Sequence, residues 1–150
     1  ARRQRQMCIR DSGNTICEAD HLFATRLWQN NSKVHFDINA REDKKRLIYG
    51  GHIISLVRAL SFNGLENAQL IVGINGGTHA NPVFAEDTIY CWSEVLDKID
   101  LNVRNIAALR LRSVGAKEKN HEMKIKSDDG KYLPTIVLDF DYWVLIPKEL

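Results

Sequence analysis

Three cysteines, three prolines and nine glycines in 150 residues are few, and each scarcity excludes something. An odd number of cysteines with no close pair makes neither a disulfide framework nor a zinc site, and it suggests a reducing, cytoplasmic setting. No apolar run approaches the roughly eighteen residues that a spanning helix needs. The first residues lack the apolar stretch of a signal peptide. There is no internal repeat and no low-complexity linker. What remains is an ordinary globular composition, 44% hydrophobic and 27% charged, on a chain sized for one domain with its own core.

The formal net charge of +2 is concentrated at the start. Residues 1–12 carry four Arg and one Asp, so the rest of the chain stands at −1. Residues 2–12 resemble the one-frame translation of a transposase-type sequencing-library adapter, and segment 1–12 is expected to be non-native. A native basic arm for nucleic acid is the alternative, but no basic footprint remains outside the segment. Neither nucleic acid nor membrane is expected as a partner. On the adapter reading the gene is cut at its 5′ end, the native protein extends upstream, and the domain runs from 13 to 150.

Thr15 and Glu18 have the spacing of a capping box. Ala19, Leu22, Phe23 and Leu27 then recur at helical intervals and predict a helix to about Trp28. Residues 29–46 are polar and irregular. Gly50 and Gly51 open a second helix, in which Ile53, Leu56, Val57 and Leu60 form an apolar stripe closed near Asn63 and Gly64. Beyond it the period falls to two. Leu70, Val72 and Ile74 alternate, followed by runs at 89–96 and 106–114. In the last run Ile136, Leu138, Phe140, Tyr142, Val144 and Ile146 share one face, with Asp139 and Asp141 solvated on the other. Asn75-Gly76-Gly77 and Asp128-Asp129-Gly130 read as turns. The expected class is α+β, an antiparallel sheet wrapped around a long central helix. It is similar to a hot dog fold lacking its first strand, which would precede the first helix.

The segment Ala24-Thr-Arg-Leu-Trp-Gln-Asn-Asn-Ser-Lys-Val-His-Phe36 resembles the active-site loop of the mesaconyl-CoA hydratases, or β-methylmalyl-CoA dehydratases, within the MaoC-like hot dog dehydratases. Segments 46–55, 58–65, 81–88, 92–98 and 137–147 resemble the same family. The likeness covers residue 13 to the C-terminus. Members of that family are double hot dog proteins, and this chain resembles the C-terminal half. The resemblance implies reversible hydration of a branched enoyl-CoA, most closely mesaconyl-CoA to β-methylmalyl-CoA. The CoA thioester is then the substrate and no metal or redox cofactor is expected. A missing N-terminal hot dog half, or a homodimer partner, would complete the fold.

MaoC-like hydratases write their catalytic loop Asp-x-Asn-Pro-x-His-x-Asp. Laid on this chain it places Asn30 at the first Asp, Ser32 and Lys33 at the Asn-Pro, His35 at the His and Asp37 at the last Asp. An amide cannot serve as a base, although the mesaconyl-CoA group is similar in having one there. The implied catalytic set is His35 as general base, Asn30 orienting the water, and Gly50 or Gly51 offering a helix N-terminal amide to the enolate oxygen. The implied substrate contacts are Asp37, Ser55, His79 and Asn81, where His79 either lines the acyl tunnel or caps a strand. His52 reads as a helix-packing residue. His35, Asp37 and His52 imitate a metal set, but metal binding is not expected. Two alternatives stay open. A thioesterase is disfavoured because no carboxylate lies between Gly51 and Phe62, whereas a non-catalytic acyl-CoA-binding half is favoured by Asn30. The family loop also has a glycine where this chain has Glu86, which predicts mild strain if that position takes positive φ.

Overall fold

The computed structural model describes residues 8–10, 13–68, 70–119 and 122–148. The two-residue period becomes four long strands, β3 (Leu70–His79), β4 (Thr88–Val103), β5 (Ile106–Ala116) and β6 (Ile136–Pro147). With a short strand β1 (Cys8–Arg10) they form an antiparallel sheet in the order β1-β4-β5-β6-β3, and β2 (Asn14–Thr15) also pairs with β4. The strand expected to be lacking is thus represented by two short pieces on β4, one of them inside segment 1–12.

The central helix α2 (Gly50–Leu60) lies against β4, β5 and β6 of this sheet. Its stripe buries Ile53 and Val57 against a core that includes Leu111, Val137, Phe140, Tyr142 and Val144. Full burial of such a side chain is worth about 1.5–3 kcal/mol. The close approach depends on Gly115 of β5, where a Cβ would meet Val57 Cγ2 at 2.8 Å. Arg58 reaches from α2 to the Tyr142 hydroxyl at 2.9 Å and to the Ala68 carbonyl at 2.8 Å. Ser113 continues that polar chain from the hydroxyl into the sheet.

The alternation along β6 is as expected on its inner face from Leu138 to Ile146. Ile136, beyond the register shift at Gly115/Ala116, packs instead with Trp92, Val114 and Ala116. The outer face of β6 differs. Asp139 and Asp141 are not merely solvated, because Arg112 and Arg110 of β5 each clamp one of them with two donors at 2.6–2.9 Å. Cross-strand neighbours in the β5–β6 register, Arg112 with Asp141 and Val114 with Asp139, bring these charges onto one face. Asn75-Gly76-Gly77 is not a turn either. It runs extended within β3, paired to β6, with register shifts on either side of Ile74 that absorb the glycines as irregularities. Gly130, at φ +82°, does form the expected turn.

The first helix, α1 (Glu18–Leu27), forms where the periodicity puts it, but its face is inverted. Its buried residues are His21 and Thr25, while Phe23, Leu27 and the C-cap Trp28 remain 64–68% exposed. The capping box is absent as well. The N-cap is Cys17, with no side-chain cap bond. Thr15 is held in β2, where its hydroxyl bonds that of Thr88 at 2.7 Å, and Glu18 pairs with Arg46. Once β2 pairs with β4, Thr15 lies too far upstream of the helix to cap it.

Candidate active site

Between the 29–49 loops, the N-terminus of α2 and the segment after β3 lies an open groove of about 650 Å³. Its apolar wall includes Ile48, Ile53, Ile54, Ala80 and Val83, and its polar members are His35, Tyr49, His79 and Asn81. None of its lining residues is a carboxylate. Two backbone bonds tie the walls together, Leu47 to Val34 and Ile48 to Val83, both at 2.9 Å.

His35 closes a single 3-10 turn, Lys33–His35. Its Nδ1 lies 2.8 Å from the Leu47 carbonyl. A carbonyl only accepts, so Nδ1 carries the proton and Nε2 keeps its lone pair. That bond, with the Tyr49 ring edge-on at 5.7 Å, fixes the imidazole in the form a base requires.

Gly50 and Gly51 are the first two residues of α2, so their amides have no carbonyl partner within the helix. Tyr49, the N-cap, supplies no side-chain cap. Both glycines leave room for neighbouring rings. A Cβ on Gly50 would lie 2.5 Å from His79 Nε2, and one on Gly51 would lie 2.5 Å from the Tyr49 ring. Two amides without an intrahelical partner, with the positive end of the helix dipole behind them, thus belong to residues that line the same groove as His35.

The other residues singled out from the sequence divide. His79 lines the groove at the end of β3, and burial pushes its imidazole below the ordinary histidine value. Asn81 lines it too, but its amide is committed to the Leu133 and Ile136 carbonyls at 3.0 and 2.7 Å. Asn30, Asp37 and Ser55 are not among the lining residues. Asn30 Oδ1 accepts from the Ser32 amide at 2.9 Å, and Asp37 accepts from the Asn39 amide at 2.8 Å. Both shape the loop around His35. Ser55 is exposed on α2.

Sequence reasoning missed His21. It is fully buried on α1, with ring centroids 6.4 Å from His35 and 6.3 Å from His52. Among the described residues neither ring nitrogen has a hydrogen-bond partner. Burial, then the neighbouring His52 and His35, lowers its pKa to about 4, so it stays neutral near pH 7. The available signal was its place four residues before Thr25, the spacing of a helix face. Among the described residues no group of three His, Cys, Asp or Glu side chains is disposed to hold a metal ion.

No protein-family model matches the chain. It is 57% identical over 136 residues to mesaconyl-CoA hydratase of Cereibacter sphaeroides, covering 91% of this chain and 40% of the relative. It is 51% identical over 142 residues to β-methylmalyl-CoA dehydratase of Chloroflexus aurantiacus, with the same coverage. The chain thus spans about 40% of the length of the curated relatives it matches. Among solved structures, a MaoC domain dehydratase protein of Chloroflexus aurantiacus J-10-fl superposes at TM-score 0.92 with 47% identity. That match covers 99% of this chain and 44% of the other. A double hot dog protein of Mycobacterium tuberculosis shares the fold at TM-score 0.63 and 20% identity, over 95% of this chain and 39% of its own. The chain belongs with the MaoC-like hot dog proteins, and over 91% of its length it is similar to part of the mesaconyl-CoA hydratase and β-methylmalyl-CoA dehydratase relatives.

Proposed function

We propose that this domain adds water reversibly across the double bond of a branched enoyl-CoA thioester, with mesaconyl-CoA and β-methylmalyl-CoA as the pair. The observation that carries the reading is the pairing of His35, locked with its Nε2 lone pair free, with the uncapped N-terminus of α2 across one apolar groove. The choice of acyl group follows the names of the relatives.

In the forward direction His35 Nε2 takes a proton from water while the water oxygen bonds to the β-carbon. The π electrons move through the α-carbon onto the thioester oxygen, where the Gly50 and Gly51 amides receive the charge. The imidazolium then returns the proton to the α-carbon, so His35 ends as it began. The reaction so written calls on no metal or redox group. Asn30 and Asp37 serve it by holding the loop on which His35 stands.

The apolar outer side of α1, with Phe23, Leu27 and Trp28 bare, has no partner within the described residues. A patch of that kind marks an interface. The remainder of a double hot dog protein, or a second copy of this chain, is its proposed cover.

The test mixes the chain with mesaconyl-CoA and follows enoyl-thioester absorbance and free thiol together. Loss of absorbance without thiol is expected, and His35→Ala is expected to slow it by about 10²–10⁴-fold. Thiol release would replace the reading with a thioesterase. Two flat traces would show that this domain does not catalyse the reaction by itself.

A further inference from the structure

The groove holds a second histidine that the mechanism above leaves idle. His79 is the last residue of β3 and sits opposite Leu138 in the register with β6. Its position is fixed from both sides. The next residue, Ala80, donates its amide to the Val137 carbonyl at 3.1 Å. Asn81 then spends its side-chain amide on Leu133 and Ile136. The chain therefore leaves the sheet along one path, and the imidazole is delivered over the first residue of α2. It fills the space a side chain on Gly50 would take, with Nε2, Cε1 and Cδ2 at 2.5, 2.9 and 3.1 Å from such a Cβ.

That placement bears on the charge the reaction develops. The amides of Gly50 and Gly51 are free at the same helix end. Tyr49 and His35 are the other titratable groups of the groove, and none of its lining residues is a carboxylate. An imidazole there meets no counter-ion that would hold it protonated, and burial favours its neutral form. A neutral ring still donates through one N–H. Such a donor interacts weakly with a neutral carbonyl and strongly with an oxygen that is gaining negative charge, which is the property a catalytic donor requires.

We infer that His79 is a catalytic residue, the third donor to the thioester oxygen, its Nε2–H set over Gly50 beside the two backbone amides. The inference rests on the hydratase reading above and adds to it a residue and an atom. It separates from the other role that a groove histidine can play, recognition of the second carboxylate of a dicarboxylic acyl chain. A donor to the thioester oxygen acts on every enoyl-CoA alike and appears in kcat. A carboxylate contact acts only on the dicarboxylic substrate and appears in KM.

The experiment compares the wild-type chain, His79→Leu and His79→Gln on mesaconyl-CoA and on crotonyl-CoA, which lacks the second carboxylate. His79→Leu is expected to lower kcat about a hundredfold on whichever of the two the wild type hydrates, with KM little changed. His79→Gln, whose side-chain amide reaches a similar point, is expected to recover part of the loss. Nitrogen NMR of the wild type is expected to show the Nε2–H tautomer at His79. A loss confined to KM and to mesaconyl-CoA overturns the inference in favour of carboxylate recognition. Unchanged kcat in His79→Leu, or an Nδ1–H tautomer, overturns it while leaving the hydratase reading intact. A wild type that hydrates neither substrate overturns both.

Discussion

Replacing His21 with leucine tests the physics of the site at a residue that does not itself line the groove. In the folded chain this imidazole is fully buried, and its pKa is lowered from 6.5 to about 4. In the unfolded chain it returns to its ordinary value. Above pH 6.5 both states hold it neutral, and it contributes no pH dependence. As the pH falls from 6.5 towards 4, the unfolded state binds a proton that the folded state refuses, so stability falls with pH across that window. At 1.36 kcal/mol for each pKa unit, the loss is about 3 kcal/mol by pH 4. Leucine, of similar size, removes the titration and also the two unpartnered nitrogens, whose burial costs about 1–3 kcal/mol apiece. The variant is therefore expected to match or exceed the wild type at pH 7 and to lose about 3 kcal/mol less on going to pH 4. Urea unfolding of both proteins at the two pH values measures this. The lowered values of His52 and His79 act with the same sign in both proteins and largely cancel in the difference. Equal acid losses in wild type and variant would refute the assignment of His21 as a buried, neutral imidazole.

Two further substitutions probe the frame that holds the groove. Gly115→Ala places a methyl group 2.8 Å from Val57 Cγ2, 3.3 Å from Val137 Cγ2 and 3.4 Å from Leu138 Cβ. All three neighbours belong to the fully buried core, so denaturant titration is expected to show a loss of about 1–3 kcal/mol. Glu86 has φ +72°, and its side chain is exposed, so Glu86→Gly is expected to raise thermal stability by about 0.5–1 kcal/mol through relief of backbone strain.

How much of this could be read beforehand depended on whether a pattern carried its own orientation. The β6 alternation did, because a strand that is apolar on one side has one way to face a core. The α2 stripe did too, since Ile53 and Val57 mark the same face as Leu56 and Leu60. The glycines of β3 misled because glycine is as free to extend as to turn. Only pairing with β6, set by Leu70, Ile71 and their partners Leu145 and Val144, decides between the two. His35 stood out through the resemblance of its loop, whereas its bond to Leu47, which makes it a base, joins segments twelve residues apart. No local pattern announces that.

The α1 helix carries the argument furthest. Its spacing of Ala19, Leu22, Phe23 and Leu27 predicts the helix correctly but not which face it buries, since a period says which residues lie together and not what lies opposite them. Here the inner side holds His21 and Thr25 beside His35 and His52, and Phe23, Leu27 and Trp28 face out. Burying the polar side of a helix while exposing its apolar side is unfavourable on both faces for an isolated domain. It becomes favourable when a second apolar surface covers the outside, because association then removes that area from water at about 25 cal/mol for each Å². With the proposed cover in place, the helix that frames His35 is set from two directions, by the histidines within and by the surface outside. Loss of that cover is therefore expected to disturb the geometry of the base through α1.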